Sequence, residues 1–129
     1  AQYLFRPIPF FVNTYTQRDL FAGKLHAVLC RKWGYRVKGR DWYDLVWYIG
    51  KDIPVNVKHL EYRMKQTGDL KKNAHLSEEN LKEMLIEKIK MTDFDNAKKD
   101  VQNFLKDPSS LTLWSKKYFR VVCEHIKIS

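Results

Sequence analysis

Apolar residues recur at helical spacing along most of this chain, in segments separated by residues that start or stop helices. Over residues 17–33 they stand at positions 20, 21, 25, 28 and 29, which is the pattern of one helix face. The same spacing, with Ser, Thr, Asn, Asp, Gly and Pro at the boundaries, predicts further helices at 40–49, 56–66, 77–89, from 93 to a break at Asp107-Pro108, and at 114–126. Such one-sided helices bury their apolar faces by packing against each other.

The pattern therefore predicts a mainly α fold, a bundle of about six helices preceded by a short extended segment. That segment, residues 1–15, is apolar but contains Pro7 and Pro9, which favours an edge strand or an extended arm because proline cannot donate to a β-ladder. We find no internal repeat or dividing linker, so residues 1–129 are expected to form one helical domain. In the last helix, the predicted core residues are Tyr118, Val121, Val122 and His125.

The formal net charge of +9 favours a polyanionic partner such as nucleic acid or a nucleotide, or an acidic protein. Residues 31–40 hold five cations and no acid, whereas residues 77–100 mix Glu and Lys as a solvated helix surface does. Simple solubility is the alternative explanation of the excess charge. The basic segment is the natural place for a polyanion to bind.

Two cysteines, Cys30 and Cys123, are too few for a disulfide scaffold, so we expect a reducing cytoplasmic location and buried, inert thiols. No apolar run approaches the roughly 20 residues that a membrane span needs, and the first residues show no signal-peptide pattern. No membrane partner is therefore expected.

Lys24 interrupts an apolar helix face and is surrounded by the small residues Ala22, Gly23 and Ala27. Glycine inside a helix costs about 1 kcal/mol relative to alanine, and close approach of a ligand is one reason to keep it. A lysine between small residues suits a phosphate, with Arg31 two helical turns further along as a second phosphate contact. The alternative is a surface lysine beside a glycine that serves helix packing.

Asp41 and Asp44 are three residues apart at the start of a predicted helix, so they share one face. One interpretation is structural: acids in the first turn are favoured by the helix dipole, and Arg40 can pair with Asp44. The functional interpretation makes one aspartate a general base or metal-linked carboxylate for phosphoryl-type transfer, with neighbouring cations such as Arg40 stabilising charge.

His26 and Cys30 are spaced as two metal ligands on one helix face would be, but no second pair occurs nearby in the sequence, so no metal site is predicted. Asp93-Phe94-Asp95 is the only Asp-x-Asp of the chain. It stands at a predicted helix start, and we interpret it as a cap.

Residues 20–33 read LFAGKLHAVLCRKW and residues 36–45 read RVKGRDWYDL. These two linked segments resemble the AbiEii/AbiGii toxin family of nucleotidyltransferases, in which a helix with a Lys and a downstream Arg precedes a helix that begins Arg-Asp-x-x-Asp-Leu. The resemblance is close over about 25 residues, and the rest of the chain fits the family's C-terminal part more loosely.

The resemblance implies the helical C-terminal portion of an α+β nucleotidyltransferase that transfers a nucleotide from an NTP, with Mg²⁺, to an acceptor such as tRNA or another RNA. It implies that Lys24 contacts phosphate, that Asp44 or Asp41 is the essential acid, and that an antitoxin accompanies the protein in a toxin–antitoxin or abortive-infection system.

The family's first motif, Gly-Ser followed by a metal-holding Asp-x-Asp, is missing, because the chain contains no Gly-Ser. We therefore expect a fragment, inactive alone, or a degenerate relative. The alternative function is a non-catalytic basic module that binds nucleic acid through residues 31–40, or that docks an acidic antitoxin.

Overall fold

In the computed structural model, residues 16–30 and 38–129 are described, and they form six α-helices and one 3-10 helix. The elements are α1 (Gln17–Cys30), α2 (Gly39–Gly50), α3 (Val57–Gln66), α4 (Glu78–Met91), α5 (Phe94–Gln102), the 3-10 helix η1 (Pro108–Leu113) and α6 (Lys116–Glu124). No β-sheet occurs in the described ranges, where Val55 and Ile128 form an isolated parallel bridge. The predicted mainly helical fold is confirmed.

Most helices begin where a side chain that accepts hydrogen bonds is available. Asn56, Ser77 and Asp93 each accept a hydrogen bond from a backbone N–H in the first turn of α3, α4 and α5. Thr16 does the same for the N–H of Asp19 in α1. These four starts match the sequence prediction, because capping depends on residues close together in the chain.

The segment that follows α5 differs most from the prediction. The helix that opens after Asp93 ends at Gln102, short of the predicted break at Asp107-Pro108. Asp107 instead accepts a hydrogen bond from the N–H of Ser109 and starts η1, an element that the sequence pattern did not predict. Phe104, left outside both helices, is 69% exposed.

The helices pack around a core to which all six α-helices contribute. Helix α1 lies against α2 and α3, α2 lies against α5, and α4 lies against α6. Phe21 of α1 stacks on Tyr48 of α2 with ring centroids 4.8 Å apart. Helix α2 is thus enclosed between α1 and α5, so its two sides meet different surroundings.

The side of α2 that faces α5 and α6 lies in an aromatic cluster, which we define as Trp42, Phe94, Trp114 and Phe119. The Trp42 ring meets Phe94 and Phe119 edge-on, each with centroids 5.1 Å apart, and Phe94 stacks on Phe119 at 4.4 Å. Trp42 and Phe119 are fully buried. This cluster fixes how α2 is placed against the rest of the bundle.

The predicted core face of the last helix is confirmed only in part: Tyr118 and Val122 are half-buried and pack against the core, but the other two predicted residues do not. Phe119 and Cys123 are the buried residues of α6, whereas Val121 is 50% exposed and His125 is exposed. Both faces of this helix carry apolar residues, so spacing alone did not separate them. Stacking of Phe119 on Phe94 favours the face that the structure buries.

No helix within residues 16–30 and 38–129 is long and apolar enough to cross a membrane. The arm predicted at residues 1–15, the predicted end of the first helix at residue 33, and Arg31 all lie outside the described residues.

Candidate active site between helices α1 and α2

Lys24 of α1 and two aspartates of α2 meet where the two helices cross. The Lys24 Nζ lies 2.8 Å from Asp41 Oδ1 and 3.0 Å from Asp44 Oδ2. Asp41 and Asp44 share one face of α2, as their spacing predicted. The structure therefore brings into direct contact three of the five residues that the sequence singled out for phosphate and acid roles.

The three side chains differ in their access to water. The side chain of Asp41 is 11% exposed, that of Lys24 is 24% exposed and that of Asp44 is 45% exposed. Among the residues that the structure describes, Asp41 is the one charged residue classed as buried. Asp41 is thus held inside the helix pair, while Asp44 remains open to an incoming molecule.

Burial lowers the pKa of Lys24, but hydrogen bonds and Coulomb attraction from Asp41 and Asp44 outweigh it, so the pKa is raised above its ordinary value of 10.5. Lys24 is therefore a fixed cation at neutral pH. It can bind an anion or stabilise developing negative charge, but it cannot serve as a general base.

A pocket of about 280 Å³ opens at this meeting point, lined by Lys24, Lys38, Arg40, Asp41 and Asp44. Its volume is slightly below the range typical of sites that enclose a whole small molecule. Three cations and two acids line it, so its charge favours an anionic group such as a phosphate. We call it the phosphate pocket.

Arg40 lies at the edge of the phosphate pocket but does not make the pair that its spacing suggested. Its guanidinium carbon stands 5.4 Å from the centroid of the Phe104 ring, an arrangement in which the ring face attracts the cation. Within the described ranges the ion pairs of Asp44 go to Lys24, so the interpretation of Arg40 as the partner of Asp44 was wrong.

Gly39, directly before Arg40, has a structural reason to be glycine. A Cβ atom on Gly39 would lie 1.9 Å from the carbonyl oxygen of Ala97 in α5, a distance that no side chain tolerates. The Gly39 N–H also donates a 3.1 Å hydrogen bond to Asp100 Oδ2. The close approach of α2 to α5 thus depends on this position, which places the first turn of α2 and its aspartates.

A second pocket, of about 350 Å³, lies on the other side of Lys24 in the groove between α1 and α3. It is lined by Asp19, Leu20, Gly23, Lys24, Ala27, His59 and Arg63. Arg63 donates a 3.1 Å hydrogen bond from Nε to the Nε2 of His59. Lys24 lines both pockets, so an anion bound by Lys24 has room to extend toward α3.

Gly23 borders this groove and faces the guanidinium of Arg63. A Cβ added at Gly23 would lie 3.8 Å from the guanidinium carbon, an ordinary contact distance. Gly23 is therefore not required by backbone packing against a described residue, unlike Gly39, and what it provides is open space beside Lys24.

Sequence reasoning missed His59 and Arg63. They stand one turn apart on α3, which the pattern predicted as a helix, but their position beside Lys24 follows from the packing of α1 against α3. Nothing in the local sequence indicates that α1 packs against α3 at this point.

The interpretation of Asp93 as a cap is supported by its contacts. Its carboxylate accepts hydrogen bonds from the backbone N–H groups of Asp95 and Asn96. The Asp-x-Asp of this chain therefore caps the N-terminus of α5.

Fold and site together define a mainly helical protein with a pocket lined by lysine and aspartate side chains between two helices. Residues 1–119 match the family described as nucleotidyl transferase AbiEii toxin, type IV TA system, and the chain belongs to that family. No curated protein and no solved structure matches the chain. The resemblance noted from residues 20–45 is thus confirmed over most of the chain, and with it a nucleotidyltransferase of a toxin–antitoxin system in general terms.

Proposed function

We propose that this chain belongs to a toxin that transfers a nucleotide from an NTP to an RNA acceptor such as tRNA, and that Lys24, Asp41 and Asp44 form one side of the active site. The observation that carries the proposal is the contact of Lys24 with both Asp41 and Asp44, which joins the two motifs at one pocket.

Lys24 is the proposed phosphate contact. An ammonium group has three N–H donors, and the two aspartates accept two of them, which leaves one for a phosphate oxygen. Arg40 at the rim, and Arg31 beyond the described residues, are proposed to contact other phosphates of the same NTP. A fixed set of cations stabilises the charge that develops when a phosphoryl bond breaks.

Asp44 is the proposed essential acid, with Asp41 in the supporting position. Asp44 is the more exposed of the two, so an acceptor hydroxyl can reach its carboxylate, whereas Asp41 is enclosed between the helices. When a phosphate binds Lys24, the bond from Lys24 to Asp44 weakens, and the carboxylate becomes available to accept the hydroxyl proton.

Mg²⁺ is proposed as the cofactor of the complete reaction, where it would neutralise charge on the NTP phosphates. Both pocket carboxylates already bind one ammonium group, so we assign no Mg²⁺ ligand to Asp41 or Asp44. We also propose that the protein acts in the cytoplasm together with an antitoxin, in a phage defence of the abortive-infection type.

The test is transfer of a labelled nucleotide from each NTP to RNA by the full-length protein. We expect Lys24→Ala and Asp44→Asn each to lower the rate by at least about 100-fold, the usual cost of removing one group that stabilises a transition state. Lys58→Ala and Asp52→Asn, at exposed positions away from the pocket, are the matched controls.

Wild-type turnover in both Lys24→Ala and Asp44→Asn would contradict the proposed roles of these two residues. Absent transfer, combined with salt-dependent RNA binding that weakens stepwise as Arg36, Lys38 and Arg40 are neutralised, would favour a non-catalytic RNA-binding module instead.

A further inference from the structure

Three potential metal ligands converge on the side of α1 away from the phosphate pocket. His26 and Cys30 stand one turn apart on α1, and Asp69 lies in the turn that follows α3. One ligand atom from each residue lies within 4.8 Å of the other two. We call this group the His26–Cys30–Asp69 cluster.

The third member is what the sequence did not reveal. His26 and Cys30 alone are a weak signal, because one His and one Cys at helical spacing occur often without a metal. Asp69 is 39 positions beyond Cys30 and reaches the pair because α1 packs against α3. A carboxylate delivered to the pair by tertiary packing makes the minimum protein ligand set of an open zinc site.

The distances suit a small cation after a modest adjustment. Bonds of about 2.0–2.3 Å in tetrahedral geometry place neighbouring ligand atoms roughly 3.3–3.8 Å apart. Since no two of the three ligand atoms are more than 4.8 Å apart, the cluster must contract by at most about 1–1.5 Å. Asp69 is exposed and lies in a turn, so its carboxylate can move that far without disturbing the core.

Thr67 supports the arrangement from between two of the ligands. Its hydroxyl oxygen lies 3.1 Å from the Nε2 of His26, and the same hydroxyl donates to the carboxylate of Asp69. Such a neighbouring hydrogen-bond partner orients metal-binding side chains. Metal binding would exchange some of the present hydrogen bonds of these side chains for metal bonds.

We propose that His26, Cys30 and Asp69 bind one Zn²⁺ ion, with water in the fourth position. Imidazole and thiolate ligands select zinc over Mg²⁺, which prefers an all-oxygen shell. The ion ties α1 to the turn after α3. The site is independent of the nucleotidyl-transfer proposal, because His26 and Lys24 are two residues apart and so point to nearly opposite sides of α1.

The test is direct titration of the metal-stripped protein with Zn²⁺ and, in a separate sample, with Co²⁺ as a coloured substitute. We expect one equivalent to bind, with a thiolate-to-cobalt charge-transfer band and a raised thermal unfolding midpoint. Cys30→Ser should abolish the band, and His26→Gln and Asp69→Asn should weaken Zn²⁺ binding by at least about 100-fold, since even outer-shell changes cost 10- to 100-fold.

Matched controls are available for each ligand type. Cys123→Ser changes the buried thiol of α6, His75→Gln changes an exposed imidazole, and Asp52→Asn changes an exposed carboxylate. All three should bind Zn²⁺ as the wild type does. Equal affinity in Cys30→Ser and the wild type, or no binding by the wild type, would overturn the proposal.

A second measurement does not depend on whether the ligand variants fold. In a Cys123→Ser background, Cys30 is the remaining thiol, and its rate of maleimide labelling should fall at least tenfold when Zn²⁺ is added and recover with a chelator. Mg²⁺ should leave the rate unchanged. Labelling that Zn²⁺ does not slow would contradict ligation by Cys30.

Discussion

The two sides of α2 have different surroundings, one aromatic and one charged, although Asp41 and Trp42 are adjacent in the chain. On one side Trp42 is fully buried in the aromatic cluster, and on the other Asp41 and Asp44 contact Lys24 beside a pocket. The aromatic side excludes water, whereas the charged side keeps access to it.

This difference separates the source of stability from the proposed source of function. Burying an aromatic side chain removes about 150–250 Å² of its surface from water, which contributes several kcal/mol to stability. A partly exposed ion pair contributes about 1 kcal/mol or less, because solvent screens it and its side chains lose freedom. The comparison predicts that changes on the aromatic side unfold the protein, and that changes on the charged side leave it folded.

The largest effect is expected for Trp42→Ala. It leaves a cavity between Phe94 and Phe119 and should lower the free energy of unfolding by about 3–5 kcal/mol in urea denaturation. Trp42→Phe should cost less, because the indole N–H of Trp42 has no hydrogen-bond partner among the described atoms and its removal leaves no partner unsatisfied. If Trp42→Ala proved as stable as Trp47→Ala, at a half-exposed position, the aromatic cluster would not be the main support of α2.

The next effect distinguishes two glycines. Gly39→Ala should destabilise by about 1–3 kcal/mol, because its methyl group would overlap the backbone of Ala97. Gly23→Ala should instead stabilise by up to about 1 kcal/mol, because it improves helix propensity and meets only an ordinary contact with Arg63. Thermal unfolding of both variants checks this.

The same pair tests the site. If Gly23 provides space for a ligand beside Lys24, Gly23→Ala should reduce nucleotide transfer while raising the unfolding temperature. Unchanged transfer in Gly23→Ala would remove the proposed role of that space.

A smaller effect on stability is expected for Lys24→Met, about 1–2 kcal/mol at neutral pH, since the lost ion pairs are partly exposed. Because the pKa of Lys24 is raised in the folded state, its contribution is complete below the ordinary value of 10.5 and is lost as pH rises through the folded-state pKa. The stability difference between the wild type and the Lys24→Met variant should therefore stay constant from pH 7 to about 10 and shrink above it.

That experiment requires one precaution. Burial raises the pKa of the Cys123 thiol to about 12 from an ordinary value of 9.0, so its ionisation also destabilises the fold at alkaline pH. Measuring both proteins in a Cys123→Ala background isolates Lys24. A difference that grew above the ordinary lysine pKa of 10.5 would contradict the assigned ion pairs.

The sequence predicted what depends on nearby residues and failed where packing decides. The caps at Asn56, Ser77 and Asp93 were predictable, because each side chain accepts hydrogen bonds from backbone N–H groups no more than three residues away. The buried face of α6 was not, because apolar residues lie on both sides and the partner ring of Phe94 is remote in sequence. Arg63 and Asp69 were missed for the same reason.

The linked family motifs, rather than spacing, assigned a phosphate contact to Lys24 and an essential acid to Asp44 or Asp41, and the structure shows that these side chains are in direct contact. Spacing alone gave two helices with charged faces, and several packings satisfy that pattern. The roles of Lys24, Arg31, Arg40, Asp41 and Asp44 remain predictions for the transfer assay.

Because Asp41 and Trp42 are neighbours on one rigid helix, the packing of the aromatic cluster also determines the position and orientation of the carboxylates. At a radius of roughly 6 Å from the helix axis, a rotation of α2 by about 20° would move a carboxylate by about 2 Å. Displacements of about 1 Å at a reacting centre can cost 100-fold in rate. Substitutions of Phe94 or Phe119 that leave the protein folded are therefore expected to act on catalysis from a distance, and to be detected as slow turnover rather than as unfolding.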